Sequence, residues 1–185
     1  YSDSISRQHN NTGYKSGMYG SYNTPNIAAA LAFGLQQQIP PAQLQQGLEN
    51  YHPIANRSQI VKTSHNTLLM DAYNANPNSM QAAITAFATQ EGKHKIVVLG
   101  DMMELWTYSV NAHQELINLL GNYSFEMVLI VGEAFAKTRN HPKNTKLFAN
   151  TASCKAWLKT QQLQQKFILL KGSRSMALET LQSVL

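Results

Sequence analysis

The sequence contains a single cysteine, Cys154, among 185 residues. One thiol cannot form an internal disulfide or a cysteine-cluster zinc site, so a reducing cytoplasm is the simplest compartment. Cys154 itself fits a small apolar residue on a helix beside Trp157 and Leu158. No apolar run approaches the roughly 20 residues that span a bilayer, and the polar N-terminus lacks a signal peptide's apolar segment. We expect a cytoplasmic protein with no membrane partner.

Acidic residues are also few, ten against fifteen Lys and Arg, which leaves a formal net charge of +5. The basic residues are scattered without a dense run, which argues against a nucleic-acid partner and favours anionic ligands such as phosphate compounds. The six histidines show no metal-ligand spacing, such as two four apart on one helix, so no metal site is predicted.

Three motifs of nucleotide and hydrolase sites are missing: a phosphate loop ending Gly-Lys-Ser/Thr, Gly-x-Gly-x-x-Gly, and a Gly-x-Ser-x-Gly elbow. Lys15-Ser16 follows Tyr14 where a phosphate loop needs Gly. The chain also begins at Tyr1 without an initiator Met, which indicates a piece of a longer protein. The residues alone predict a ligand-binding α/β domain without its own phosphate loop.

The first part of the chain predicts a helical connector. Residues 1–16 are polar and aperiodic, which favours a loop or a frayed piece of a preceding domain, and a short strand is predicted near Met18 and Tyr19. A helix should then begin near Asn23 or Thr24. The second helix should begin at Pro41 and bury one stripe of side chains, Leu44, Gly47, Leu48 and Tyr51.

Strands alternate with helices from Ser58 onward. A hairpin is predicted for 58–63 and 67–71, and further strands for 95–100, 127–131, 145–149 and 167–171. Helices should follow Pro77, include His113, occupy 134–137, include Cys154, and begin again near Ser175. The apolar strands predict an α/β, Rossmann-like, mostly parallel sheet with helices on both faces, from residue 55 to 185. Residues 1–54 form a separate preceding part, and the first hairpin strand should be an antiparallel edge strand.

Three loops, 71–79, 100–104 and 171–174, follow strands of this sheet directly. Parallel strands end at the same edge, so these loops should converge where open α/β proteins bind ligands. Asp71 is suited to a ribose hydroxyl pair, or to capping the next turn. Asn74 and Asn76 each offer donor and acceptor atoms suited to a peptide or amide, and Asn76 is equally suited to forming a turn before Pro77.

The other two loops carry charges of both signs. Asp101 and Glu104 suit a substrate ammonium or a metal, although Glu104 also suits a helix N-terminus. The last loop carries Lys171, Ser173 and Arg174, which suit an anion or carboxylate clamp; a solvated basic loop is the alternative. Two other residues are weaker candidates. From the residues alone, Arg57 is interpreted as an ordinary surface arginine and His113 as a core residue whose hydrogen bonds are satisfied.

At these residues the sequence resembles the Mur ligase family, in particular the members that add D-Ala-D-Ala. Five motifs carry the resemblance: residues 20–26 (GSYNTPN), 56–59 (NRSQ), 71–80 (DAYNANPNSM), 100–105 (GDMMEL, with Ser109 and His113) and 170–174 (LKGSR). The resemblance covers residues 17–180, namely the last of the family's three domains and the tail of its central ATPase domain. It therefore assigns 1–54 to that tail and its connector, and 55–185 to the C-terminal domain.

The resemblance implies ATP-dependent amide formation in peptidoglycan precursor synthesis, in which an acyl phosphate on UDP-N-acetylmuramoyl-tripeptide is attacked by the D-Ala-D-Ala amine. By matching positions, Asn23 and Asn26 would lie near the nucleotide, Asp71 would hold its ribose, and Arg57 would be catalytic at the phosphates. The peptide-side residues would be the remaining candidates, Asn74, Asn76, Ser79, Asp101, Lys171, Ser173 and Arg174. Magnesium ligands and the phosphate loop would lie in the missing central domain. A monomer is expected, and the fragment alone should be inactive.

Two departures from the family pattern stand out. Trp106 replaces the Gly that commonly follows Glu-Leu, and Tyr22-Asn23 replaces a His-Asn pair. Two other interpretations stay open: a Mur-like ligase for another amino acid, and a non-catalytic α/β binding domain.

Overall fold

The computed structural model describes residues 5–9, 12–103 and 105–185. Its contacts fall into two compact units, Tyr1–Ile54 and Ala55–Leu185. The assignment of these units to an ATPase-domain tail and a C-terminal domain stays a prediction. Within the described ranges, no helix has the length and apolar character needed to cross a membrane.

The first unit opens with an antiparallel hairpin of β1 (Ile5–His9) and β2 (Thr12–Ser16). The loop predicted for 1–16 is therefore wrong for both strands; residues 1–4, 10 and 11 lie outside the described ranges. In β2, Tyr14 and Ser16 are buried whereas Gly13 and Lys15 are exposed. This alternation uses mainly polar residues, so it carries little hydrophobic signal. The strand predicted near Met18 is also wrong, because a 3-10 turn at Ser21–Asn23 follows irregular backbone.

Two helices complete this unit, α1 (Thr24–Gln36) and α2 (Pro41–Asn50), each with a proline in its first turn as predicted. Ile27 and Leu31 of α1 share a small core with Tyr14, against which Leu44 and Leu48 pack. The predicted α2 stripe needs correction, because Gly47 and Tyr51 are exposed. Only one row of the stripe, at i and i+4, contacts the core.

The second unit is built on a six-stranded sheet, which confirms the predicted α/β fold. Its strands are β3 (Gln59–Lys62), β4 (Thr67–Asp71), β5 (Lys95–Gly100), β6 (Met127–Val131), β7 (Thr145–Phe148) and β8 (Phe167–Lys171). They are arranged in the order β3-β4-β8-β5-β6-β7. Every pair is parallel except β3 with β4, so β3 is the antiparallel edge strand that the sequence predicts.

Four helices flank this sheet: α3 (Pro77–Thr89), α4 (Ser109–Leu120), α5 (Glu133–Ala136) and α6 (Thr151–Gln161). One face of the sheet packs with α6, including Cys154 and Leu158, and with the C-terminal leucines. On the other face, Phe87 of α3 packs on Phe167 with ring centroids 4.8 Å apart. Alternate side chains of each strand point to opposite faces, so apolar strands serve both cores.

The C-terminal segment corrects one further prediction. In place of an α-helix from about Ser175, two 3-10 segments cover Arg174–Met176 and Leu178–Val184. Ala177 between them is left-handed, with φ 48°, and interrupts a continuous helix. The three-residue repeat of a 3-10 helix still directs Leu178 and Leu181 to one side, and both are fully buried.

Two glycines allow close packing at the carboxyl edge of the sheet. Gly100 ends β5, and Gly172 follows the end of β8, its neighbour. A Cβ added to Gly172 would lie 2.9 Å from the Gly100 Cα and 3.0 Å from Leu178 Cδ1. Gly172 is thus a buried packing position.

Gly172→Ala should lower the free energy of unfolding by about 1–3 kcal/mol, because the new methyl meets backbone that cannot move aside. Urea unfolding of the 185-residue chain measures this change. Gly47→Ala is the matched control: its Cβ would meet nothing within 4 Å, and Ala is favoured over Gly inside a helix by about 1 kcal/mol. Equal stability of the wild type and Gly172→Ala would contradict the close-packing interpretation.

Candidate functional site

An ion pair joins the ends of β4 and β8. Asp71 and Lys171 are register partners on these parallel strands, and Lys171 Nζ lies 2.7 Å from Asp71 Oδ2. The side chains are 3% and 14% exposed for Lys171 and Asp71, respectively. A charge this deeply buried requires a partner, so each group holds the other in place. The two residues, predicted for the ribose and the peptide respectively, therefore form a single unit.

The same carboxylate anchors the turn that carries Arg57. Since β3 runs antiparallel to β4, the residues before β3 reach the carboxyl edge. The Ser58 backbone N–H donates to Asp71 Oδ1 at 3.1 Å. Ala55, Asn56 and Ser58 have φ values of 56°, 58° and 50°, which places non-glycine residues in the left-handed region on both sides of Arg57. Such backbone persists only when its surroundings hold it, and it is concentrated at functional sites.

Tyr73 lies beside two arginines of this edge, Arg57 and Arg174. The Arg57 guanidinium carbon lies 3.8 Å from the centroid of its ring, and that of Arg174 lies 5.3 Å from the same centroid. Both distances are within cation–π range. Tyr73 was not among the predicted site residues. The available signal was its position as the one aromatic residue in the polar stretch 71–80.

Asn76 and Ser79 form a capping box at the start of α3. Asn76 Oδ1 accepts from the Ser79 backbone N–H at 2.9 Å, and Ser79 Oγ accepts from the Asn76 backbone N–H at 3.1 Å. Asn74 is exposed, and its Oδ1 accepts from the Ala75 N–H at 2.8 Å. Turn and cap formation thus accounts for these side chains, and their substrate contacts stay predictions.

Asp101 and Ser173 form a framework beneath the edge. The Asp101 carboxylate accepts from the backbone N–H groups of Ala134 and Phe135 at 2.9 and 3.0 Å, at the start of α5. Ser173 donates its N–H to the Asp101 carbonyl at 3.1 Å, and its Oγ accepts from the Met103 N–H at 2.8 Å. Both carboxylate oxygens are engaged, which favours a structural role over the predicted substrate contact. Glu104 lies outside the described residues.

His113 is a fully buried, satisfied core residue, as the sequence indicates. Its Nδ1 donates to the Ser109 carbonyl at 2.6 Å, its Nε2 accepts from the Met102 N–H at 3.0 Å, and its ring meets Phe135 edge-on at 4.5 Å. Burial lowers the pKa of His113, opposed by the hydrogen bond to Ser109 and by the Asp101 charge, whose oxygen lies 3.8 Å away. The ring is therefore neutral at pH 7.

Acidification should destabilise the fold through His113. The unfolded imidazole binds a proton below about pH 6.5, whereas the buried ring, next to Asp101, does so only at lower pH. Below about pH 6.5 the unfolded state therefore binds more protons than the folded state. The free energy of unfolding should be highest above about pH 6.5 and should decrease as the pH falls below that value. Urea unfolding between about pH 7.5 and 5.5 measures this slope. His113→Gln should reduce the slope, and exposed His65→Gln should retain it; equal slopes in both variants would contradict the assignment.

Trp106, one of the two departures from the family pattern, is exposed to solvent. Its side chain is 89% exposed, and its backbone is left-handed, with φ 47°. Glycine adopts this conformation without steric penalty, which gives a physical reason for the Gly of the family pattern.

The predicted nucleotide contacts of the first unit lie at the start of α1. Asn23 is buried, and its Nδ2 donates to the Tyr19 carbonyl at 2.8 Å. Asn26 Nδ2 donates to Asn23 Oδ1 at 3.0 Å. Their roles toward a nucleotide stay predictions. In the described part of the chain, no three His, Cys, Asp or Glu side chains form a potential metal site.

The second unit is thus a Rossmann-like α/β domain with a cationic carboxyl edge. A family model described as "Mur ligase, glutamate ligase domain" matches residues 56–174. The chain belongs to the Mur ligase family, as the sequence motifs predict.

Individual relatives and solved structures show which members of the family this chain is similar to. The UDP-N-acetylmuramoyl-tripeptide--D-alanyl-D-alanine ligase of Treponema pallidum is 34% identical over 172 residues, which cover 90% of this chain and 37% of that protein. A crystal structure of MurF from Acinetobacter baumannii has a TM-score of 0.81 at 29% identity, covering 93% of this chain and 39% of that one. MurF ligase from Thermotoga maritima, in complex with ADP, shares the fold with a TM-score of 0.77 at 22% identity, covering 94% and 40% of the two chains. The chain therefore spans less than half of the length of each of these relatives.

Proposed function

We propose that this chain is the C-terminal part of an ATP-dependent ligase that adds D-Ala-D-Ala to UDP-N-acetylmuramoyl-tripeptide in peptidoglycan precursor synthesis. The observation that carries the proposal is the pair of guanidinium groups, Arg57 and Arg174, beside Tyr73 at the carboxyl edge. The relatives named for this reaction match over most of the chain, which supports the substrate assignment.

The donor set suits a phosphorylated ligand. Among the described residues, neither Arg57 nor Arg174 has a carboxylate within 4 Å, and both side chains are exposed. Guanidinium groups present planar donors that match phosphoryl oxygens. Arg57 would therefore stabilise the charge that develops as phosphate is transferred, which makes it the proposed catalytic residue of this chain. The solved relative that contains ADP is compatible with this assignment.

The reaction balances with ATP as the co-substrate. The substrate carboxylate takes the terminal phosphoryl group of ATP, and ADP is released. The dipeptide amine then attacks the resulting acyl phosphate, displaces phosphate and forms the amide. Asn23 and Asn26 are proposed for the nucleotide side, and Asn74 for the peptide side. Asp71 and Lys171 support this edge through their ion pair. The phosphate loop and magnesium ligands are proposed for a central domain, in a monomeric cytoplasmic enzyme.

Two other functions compete with this proposal. A Mur-like ligase for a different amino acid would keep the same edge, and a non-catalytic binding domain would keep the fold alone. The exposed arginine pair favours a working ligase, because two like charges on one ring serve no evident packing purpose.

A comparison of acceptor amines tests which reaction the protein catalyses. The full-length protein should release phosphate from ATP with UDP-N-acetylmuramoyl-tripeptide and D-Ala-D-Ala, and far more slowly with single amino acids. Phosphate release measures the rate with each acceptor, and mass spectrometry identifies the product. Preference for a single amino acid would establish the other ligase, and no product with any acceptor would favour the binding domain.

Arg57→Ala should lower kcat about a hundredfold or more in the full-length protein, because a group that stabilises transition-state charge is lost. Steady-state kinetics measure the loss, and circular dichroism checks the fold. Arg139→Ala is the control, since Arg139 is an exposed arginine whose backbone, not its side chain, bonds Gln114. Equal kcat for Arg57→Ala and the wild type would refute the phosphate role.

A further inference from the structure

We propose that Tyr73 is a positioning residue whose ring holds Arg57 and Arg174 as one bidentate site for a phosphoryl group. The identity of the anion rests on the proposed function. The assignment of Tyr73 itself rests on its ring contacts with the two arginines. It also places Arg174 on the phosphate side of the edge, rather than on the peptide side that the sequence predicts.

The topology explains why a bridging side chain is needed. Arg57 precedes β3 and Arg174 follows β8, and these strands lie on either side of β4. Neighbouring strands are about 4.8 Å apart, so the strand ends nearest to the two arginines are separated by about 10 Å. Tyr73 belongs to the loop that leaves β4, the strand between them. Its ring is thus placed to contact both guanidinium groups.

The local backbone fixes the first arginine relative to this ring. Left-handed residues flank Arg57, and the Asp71 carboxylate holds the following N–H. Because Asp71 begins the segment that carries Tyr73 two residues later, the arginine turn and the ring share one anchor. The strained turn therefore directs Arg57 to the ring, and the ring orders the long side chain beyond it.

Charge balance indicates what the site binds. Among the described residues, the edge carries three cations, Arg57, Lys171 and Arg174, and two carboxylates. Both carboxylates are already engaged, Asp71 by Lys171 and the Ser58 N–H, and Asp101 by the N–H groups of Ala134 and Phe135. Two guanidinium groups on one ring repel each other, and a bound anion between their donors removes that repulsion. A phosphoryl group offers enough oxygens for both forks at once.

The ring contact can be tested on the 185-residue chain with inorganic tripolyphosphate. Tyr73→Leu removes the aromatic face, and Tyr73→Phe keeps it. Calorimetry should show a Kd raised about two- to tenfold in Tyr73→Leu and unchanged in Tyr73→Phe. The NMR signal of the Arg57 side-chain N–H should show an upfield ring-current shift in the wild type and in Tyr73→Phe only. Tyr108→Leu is the control, because that residue is 75% exposed and lies in the 3-10 helix Trp106–Tyr108 that follows β5. An unshifted Arg57 signal, or an unchanged Kd in Tyr73→Leu, would overturn the proposal.

The full-length protein separates this proposal from the proposed function. Tyr73→Leu should raise the KM for ATP or lower kcat about two- to tenfold, with full rescue in Tyr73→Phe. In Arg57→Ala the same change at Tyr73 should have a smaller effect, since the ring then has one arginine fewer to hold. Additive effects of the two changes would overturn the positioning role while leaving the ligase assignment intact. A protein without ligase activity in which Tyr73→Leu still weakens tripolyphosphate binding would overturn the function and uphold the site.

Discussion

The Lys171–Asp71 ion pair is the contact on which the carboxyl edge depends. Lysine at the end of a central strand is forced into the interior by the sheet on both sides, and only a carboxylate at the adjacent register position makes that burial tolerable. Asp71 is thereby fixed in one rotamer. Its second oxygen then accepts the backbone N–H of the turn before β3. One buried charge thus orients a strand end, a neighbouring loop and the turn at the sheet edge.

This dependence separates the groups that build the site from those free to bind. Asp71, Lys171, Asp101 and His113 are engaged with one another or with backbone N–H and C=O groups. Among the described residues of this edge, the exposed charges are those of Arg57 and Arg174, which lie outside this framework and contact it through Tyr73. A ligand that enters from solvent therefore meets cations that lie against Tyr73 on a rigid base, an arrangement that limits the reorganisation needed for catalysis.

Much of the fold could be predicted because its strands are uniformly apolar. The continuous run 95–100 and its counterparts allow few arrangements other than a parallel sheet covered on both faces, and the convergence of the three loops follows from that topology. The β1–β2 hairpin was missed because polar residues carry its alternation. The final helix was predicted with the wrong geometry, because the left-handed Ala177 leaves no mark in composition.

The site was harder to predict than the fold. Residue types indicated which side chains could bind, but Asn76, Ser79 and Asp101 are engaged by helix termini, as the same residue types are in most proteins. Nothing in the sequence specified that Asp71 would pair with Lys171, a hundred positions away. Tyr73 remained unnoticed because an aromatic side chain in a loop has no single chemical meaning until its neighbours are known.

The exposed Trp106 gives this protein a built-in optical probe. The chain has two tryptophans, and the other, Trp157, packs on Phe148 with centroids 5.5 Å apart and lies under the Lys146 ammonium. Emission from Trp106 should be red-shifted and open to collisional quenchers, whereas emission from Trp157 reports on the packing of α6. The loop after β5 can therefore be observed by fluorescence without any added label.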